Sequence, residues 1–165
     1  MFYRMIENKC KEWYSSDQCT VRNLIEYIEK TGQMRDAQIE AIKVYLFLKI
    51  GCECKPLEFL FRYGCFNSIN LNDIELSTAT REYLEENPAA TALFEYSRLT
   101  NDKGEQVSEK LEKQIKKDPP SIDYDAFFRT AFYGVSYTDY LFSLPMGAGK
   151  TYLMAAFIYL DLRSE

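Results

Sequence analysis

Apolar positions recur every three or four residues along most of this chain, and this periodicity predicts a mainly helical protein. Val21, Leu24, Ile25 and Ile28 are representative, because residues at this spacing share one face of a helix. The helices predicted from such patterns before residue 135 span 2–14, 21–31, 36–50, 56–63, 78–86, 88–99, 105–117 and 124–133.

Residues that favour helix starts stand in front of several of these segments. Their side-chain oxygens can accept hydrogen bonds from N–H groups of the first turn. The predicted caps are Thr20, either Ser77 or Thr78, Asn87 and Asp123. Pro88 also fits the first helical position, where its missing N–H costs nothing. The run 44–48 is apolar on all sides, which predicts that this part of its helix is buried.

The last part of the chain shows a different order of patterns. An apolar run predicts a short strand over 140–144, and the glycine-rich turn 147–149 follows it. Lys150 and Thr151 come next, in a helix predicted from about Gly149 that places Leu153, Phe157 and Leu160 on one apolar face. Strand, glycine turn, Lys-Thr and helix in this order are typical of a phosphate-binding P-loop.

The residue types in this turn suit a nucleoside triphosphate. Gly147 and Gly149 can adopt positive φ angles and let backbone N–H groups approach an anion. The helix start adds N–H donors and the positive end of its dipole. Lys150 would reach the β- and γ-phosphates as the catalytic cation, and the Thr151 hydroxyl would bind Mg²⁺. The predicted nucleotide-binding residues here are Met146, Gly147, Ala148, Gly149, Lys150 and Thr151. The alternative is a chance Gly-x-Gly-Lys-Thr in a surface turn.

The segment LPMGAGKT departs from the general P-loop pattern, because Leu144 stands where the first glycine is expected. It resembles motif I of superfamily 2 helicases and translocases, which tolerates another residue at this position. Pro145 matches that motif, whereas Leu144 replaces its usual alanine. The resemblance implies that 136–165 contains the first strand, P-loop and helix of a RecA-like α/β core that binds ATP and Mg²⁺.

A second resemblance lies upstream, in the segment MRDAQIEAI at 34–42. It is similar to the glutamine motif of superfamily 2 enzymes, which implies that Arg35 and Gln38 contact the nucleotide. A glutamine amide can pair with the N6 and N7 edge of adenine through one donor and one acceptor. The alternative is a solvated glutamine at the start of an amphipathic helix.

The long sequence separation between the two motif-like segments predicts that the chain has three parts. Residues 1–50 form N-terminal helices with the glutamine-motif-like segment, 51–135 form a helical insertion, and 136–165 form an incomplete nucleotide-binding domain. ATP hydrolysis also needs an acidic residue on a second strand, which in superfamily 2 follows motif I well downstream. The chain is therefore expected to be the N-terminal portion of an ATP-dependent DNA helicase or translocase of the restriction or repair type, inactive as a hydrolase by itself.

Two other functions fit the same pattern. The chain can be a helical interaction module whose P-loop is vestigial or incomplete. It can also belong to another P-loop enzyme, such as a nucleotide kinase, although Leu144 argues against that class.

Composition restricts these functions further. The formal net charge of −5 disfavours this segment as the main contact with DNA, so DNA is expected to bind through other parts of the parent protein. The chain contains no histidine, which removes Ser–His and Cys–His catalysis. No apolar run has membrane length, and the five cysteines are read as reduced thiols of a cytoplasmic protein. The sequence leaves the oligomeric state open.

Overall fold

The structure is a computed structural model, and it describes residues 2–134, 142–143, 147 and 149–163. The described residues are mainly helical, as the periodicity predicts. Their α-helices are α1 (Phe2–Ser15), α2 (Arg22–Thr31), α3 (Asp36–Leu46), α4 (Leu57–Arg62), α5 (Thr78–Glu86), α6 (Pro88–Arg98), α7 (Glu109–Lys117), α8 (Tyr124–Ala131) and α9 (Lys150–Arg163). Short 3₁₀ turns occupy Leu71–Asp73 and Pro119–Ser121.

The strand predicted over 140–144 falls largely outside the described residues. Within it, Phe142 and Ser143 are described and have no regular secondary structure. Elsewhere in the described part of the chain, extended pairing is limited to one isolated antiparallel bridge between Thr100 and Gln106.

Three of the predicted helix caps are confirmed. The side chain of Ser77 accepts a hydrogen bond from the Thr80 N–H at 3.1 Å. The Asn87 side chain accepts from the Ala90 N–H at 3.2 Å, with Pro88 in the first helical position. The Asp123 side chain accepts from the Ala126 N–H at 2.8 Å. Each cap satisfies a donor that has no acceptor within its own helix.

The prediction that Thr20 caps the second helix is wrong. Helix α2 begins at Arg22, and Val21 takes the capping position without a side-chain hydrogen bond. The Arg22 guanidinium instead donates to the carbonyls of Tyr14 at 3.0 Å and Ser16 at 2.5 Å. These bonds hold the start of α2 against the last turn of α1 and the residue after it. A search for capping residues in the sequence does not detect such bonds.

The predicted helix over 105–117 starts too early. Helix α7 begins at Glu109, because the Ser108 side chain accepts from the Leu111 N–H at 3.2 Å and caps it there. The preceding Val107 donates its N–H to the Leu99 carbonyl at 2.8 Å. A tight turn around Gly104, which has a φ angle of +78°, returns the chain to this pairing.

The predicted helix over 36–50 changes its hydrogen-bonding pattern in its last turn. The α-helix ends at Leu46, and Phe47–Gly51 forms a π-helical turn, here called the π-turn. The Cys52 N–H donates to the Phe47 carbonyl five residues back, at 2.9 Å. Val44, Leu46, Phe47 and Leu48 are buried, as the apolar run predicts.

The chain divides into two compact units. The first unit comprises Met1–Lys9 and Lys55–Thr138, and the second comprises Cys10–Cys54 and Asp139–Glu165. The three-part division into 1–50, 51–135 and 136–165 remains a prediction.

The first unit is built around α6. Every residue from Ala89 to Glu95 in this helix is buried, because α4, α5, α7 and α8 pack around it. Phe61 of α4 is fully buried and lies at the centre of an aromatic cluster. Its ring partners are Phe2, Phe66, Phe128 and Phe132, with centroids 4.7–5.8 Å away. Tyr124 and Phe128 of the aromatic-rich segment 124–142 are thus core residues, whereas Tyr133 is 91% exposed.

One carboxylate is buried in this core. Glu95 is 7% exposed, and its oxygens accept hydrogen bonds from the loop that follows α4. The donors are the Ser68 N–H at 2.9 Å, the Ser68 hydroxyl at 2.6 Å and the Ile69 N–H at 3.1 Å. A buried carboxylate is tolerated when hydrogen bonds of this kind replace its water.

We therefore predict that Glu95→Ala destabilises the protein by about 3 kcal/mol, because the loop donors lose their buried acceptor. Urea unfolding followed by circular dichroism measures this change. Glu85→Ala removes an exposed carboxylate on α5 and should change the free energy of unfolding by less than about 0.5 kcal/mol. Equal effects of the two substitutions would contradict this account of Glu95.

Candidate functional site

The start of α3 holds the glutamine-motif-like residues in a defined geometry. Arg35 precedes the helix with extended backbone angles, and its N–H donates to Gln38 Oε1 at 2.8 Å. This bond satisfies one of the N–H groups that have no acceptor within α3. Gln38 is 3% exposed, so it is not the solvated glutamine of the alternative interpretation.

Arg35 and Gln38 both contact the glycine-rich turn, although this turn lies more than one hundred residues further along the chain. Gln38 Nε2 donates to the Gly149 carbonyl at 2.9 Å. Arg35 Nη1 donates to the Gly147 carbonyl at 2.5 Å. The two segments that resemble superfamily 2 motifs are therefore in direct contact.

The orientation of the Gln38 amide follows from its partners. The Arg35 N–H can only donate, so it must face the amide oxygen, and the Gly149 carbonyl can only accept, so it must face the amide nitrogen. Each amide atom could form one further hydrogen bond, but both already have protein partners and Gln38 is almost fully buried.

Glycine is favoured at the two described positions of the turn for different physical reasons. Gly147 and Gly149 both have positive φ angles, +78° and +74°, which residues with a Cβ rarely adopt. A Cβ on Gly149 would also lie 2.7 Å from Gln38 Nε2, whereas a Cβ on Gly147 would meet nothing within 4 Å. Gly149 therefore allows both its own backbone conformation and the close approach of Gln38.

Helix α9 begins directly after this turn. The Gly149 carbonyl accepts the N–H groups of Tyr152 and Leu153, both at 3.1 Å, and so starts the helix. Lys150 and Thr151 lie in the first turn with exposed side chains. An ammonium, a hydroxyl and the positive end of a helix dipole thus face solvent together, an arrangement that attracts anions.

Of the predicted nucleotide-binding residues, Arg35, Gln38, Gly147, Gly149, Lys150 and Thr151 lie together at the adjoining starts of α3 and α9. Met146 and Ala148 fall outside the described residues.

No sequence pattern indicated the contacts that hold the rest of α9. Asp161 near its end accepts hydrogen bonds from Lys49 Nζ at 2.7 Å and from the Tyr45 hydroxyl. These hydrogen bonds lower the pKa of Asp161, with that from Lys49 contributing most. Burial, together with the Asp161 carboxylate, raises the pKa of Tyr45. The Tyr45 ring also packs on Phe157, with centroids 4.5 Å apart.

A further contact joins α9 to the connection between α2 and α3. The Tyr152 hydroxyl donates to the Gly32 carbonyl at 2.9 Å. Of the predicted apolar face of this helix, Leu153 and Leu160 are 3% and 0% exposed and Phe157 is half-buried. No single residue in this set signals its partner in sequence, because each contact spans more than one hundred positions.

The comparisons with known proteins assign no family. No protein-family model, curated protein or solved structure matches this chain. Among the described residues, no helix is long and apolar enough to cross a membrane. The same residues contain no group of three or more His, Cys, Asp or Glu side chains arranged to hold a metal ion.

The two glycines provide a matched test of the site's packing. We predict that Gly147→Ala destabilises the protein by about 1 kcal/mol, through backbone conformation alone. Gly149→Ala should cost about 1–2 kcal/mol more, because it also displaces the Gln38 amide from its hydrogen bonds. Urea unfolding measures both changes.

The excess should disappear when each glycine variant is combined with Gln38→Ala, because the clashing side chain is then absent. An excess that persists in the Gln38→Ala background would contradict the assigned role of Gly149.

Proposed function

We propose that this chain carries the adenine-nucleotide-binding elements of an ATP-dependent DNA helicase or translocase of superfamily 2, of the restriction or repair type. The observation that carries the proposal is the pair of hydrogen bonds from Arg35 and Gln38 to the carbonyls of Gly147 and Gly149. Each of these two segments by itself resembles a nucleotide-binding motif. If both bind the same nucleotide, they are expected to lie in contact.

The residues at this site fit a magnesium–ATP complex. With positive φ angles at Gly147 and Gly149, the backbone at these two residues would approach phosphate oxygens without a Cβ in the way. Lys150 would neutralise the β- and γ-phosphates, and Thr151 would hold the Mg²⁺ that accompanies them. Mg²⁺ supplies charge neutralisation of the phosphates when bound. On the resemblance to the glutamine motif, Gln38 would select adenine through its amide.

The exposed face of α9 also supports a larger nucleotide-binding domain. Met154, Ile158 and Leu162 follow one another at four-residue spacing and are 63%, 62% and 76% exposed. A row of large apolar side chains in water is unfavourable, and such rows usually mark surfaces that pack against another layer. A RecA-like α/β core would place a sheet against the helix that follows its P-loop.

DNA would contact other parts of the parent protein. The formal net charge of this chain is −5, and its lysine-rich helix α7 interleaves its cations with glutamates. Lys113 and Lys116 pair with Glu109 and Glu112 at 3.2 Å and 2.9 Å, which reduces their attraction for phosphates.

A second candidate is a helical interaction module in which the glycine turn is structural. The burial of Gln38 favours it, because a 3% exposed amide already bonded on both sides needs no nucleotide to explain it. In that case the exposed row on α9 would bind a protein partner.

Nucleotide binding separates the two candidates. We predict Mg²⁺-dependent binding of a fluorescent ATP analogue that Lys150→Ala weakens by about 10- to 100-fold, the value of a charge-assisted hydrogen bond to phosphate. Lys103→Ala, which removes an exposed lysine from the turn before α7, should leave affinity unchanged. Fluorescence anisotropy measures both, and circular dichroism verifies that the variants fold.

Unchanged affinity in Lys150→Ala would overturn the proposed nucleotide site. Absence of binding by the unaltered chain would favour the interaction module.

A further inference from the structure

Helix α9 is attached to the α3 region at two separate points. At its start, Gln38 holds the Gly149 carbonyl at 2.9 Å. Near its end, Asp161 is held by Lys49 at 2.7 Å and by the Tyr45 hydroxyl. Eleven residues separate Lys150 from Asp161, which at 1.5 Å per residue is about 16 Å. A rigid helix connects the phosphate-binding turn to the second attachment.

The second attachment lies where the backbone of α3 changes its hydrogen-bonding pattern. Tyr45 belongs to the last α-helical turn and Lys49 to the π-turn. Both side chains nevertheless reach the same carboxylate. A π-helical turn is uncommon, and here it directly follows Leu46, the last residue of α3.

The exposure of these groups argues against a mainly stabilising role. The side chains of Lys49 and Asp161 are 22% and 56% exposed. Ion pairs with this much solvent access contribute little to stability. The buried side chains of Leu153 and Leu160 already attach α9. Apolar contacts alone allow a helix to slide or rotate. The hydrogen bonds among Tyr45, Lys49 and Asp161 restrict α9 to one position along α3.

We propose that Tyr45, Lys49 and Asp161 form a positioning clamp that sets the register of α9 and thereby the geometry of the phosphate-binding turn at its other end. The effect on nucleotide affinity rests on the proposed function, whereas the effect on the turn itself does not. The clamp residues are positioning residues, because about 16 Å of helix separates them from the turn.

Amide hydrogen exchange tests the clamp without any nucleotide. The N–H groups of Tyr152 and Leu153 donate to the Gly149 carbonyl, so their exchange rates report on the junction of turn and helix. We expect Asp161→Asn and Lys49→Met to raise the exchange rates of these amides about threefold to tenfold, with the midpoint of thermal unfolding nearly unchanged.

Three controls separate positioning from general loosening. Lys49→Arg keeps the cation and should restore the exchange rates of the unaltered chain. Lys30→Met removes an ion pair on α2, with Glu26 at 3.6 Å, whose side chains are 75% and 42% exposed, and it should have no effect on these amides. Tyr45→Phe keeps the ring contact with Phe157 but loses the hydroxyl, and should give a smaller increase. Exchange rates at Tyr152 and Leu153 that stay at the unaltered value in Asp161→Asn would overturn the clamp.

The nucleotide measurement is a separate arm. If the unaltered chain binds the Mg²⁺–ATP analogue, Asp161→Asn should weaken binding about threefold to tenfold, less than Lys150→Ala does. Unchanged affinity with raised exchange would overturn the functional part of the inference. If the unaltered chain binds no analogue, the proposed function fails and the exchange experiment alone decides whether the clamp exists.

Trp13 offers an independent optical readout, since it is the single tryptophan of the chain. It is 5% exposed, its ring lies 5.6 Å from that of Phe47, and it lies close to Gly51 at the end of the π-turn. Loss of the clamp should shift its emission through the π-turn, and Lys30→Met should not. Identical emission spectra for Asp161→Asn and the unaltered chain would count against the coupling.

Discussion

The arrangement of the second unit depends on one side-chain amide. Gln38 accepts the Arg35 N–H and donates to the Gly149 carbonyl, and it does so while almost fully buried. A buried amide that lost either partner would leave polar groups unsatisfied at a cost of about 1–3 kcal/mol. The start of α3 and the start of α9 are therefore held together by a contact that tolerates little displacement. Gly149 is part of the same constraint, because only glycine leaves room for the amide nitrogen.

This constraint accounts for the organisation of the proposed site. Lys150 and Thr151 are presented to solvent because the carbonyl immediately before them is fixed and starts the helix. Helix α9 transmits that position to Asp161, where Tyr45 and Lys49 hold it again. A phosphate-binding turn needs donors fixed before the ligand arrives, since reorganisation would consume binding free energy. Attachment at both ends of one helix provides such preorganisation.

The sequence predicted the elements of the fold better than their contacts. Helical periodicity identified the helices, and caps at Ser77, Asn87 and Asp123 followed from local chemistry. The Thr20 cap failed because α2 begins only at Arg22, whose guanidinium bonds to the carbonyls of Tyr14 and Ser16. The start of α7 was misplaced because Val107 pairs with the Leu99 backbone instead of continuing the helix. The π-turn was not predictable, since a run of apolar residues is compatible with both α-helical and π-helical hydrogen bonding. The residues of the candidate site were predicted from two motif resemblances, but their contact and the Tyr45–Lys49–Asp161 clamp depend on tertiary packing.

The most direct test of the central claim is a nuclear magnetic resonance titration of the chain with Mg²⁺–ATP, observing the backbone amides of Gly147 and Gly149 and the side-chain amide of Gln38. The account predicts that these three signals shift together and saturate with one dissociation constant, while the Glu95 amide of the other unit stays unchanged. Saturating Mg²⁺–ATP that leaves the glycine and Gln38 signals in place would contradict the claim that the two motif-like segments form one nucleotide site.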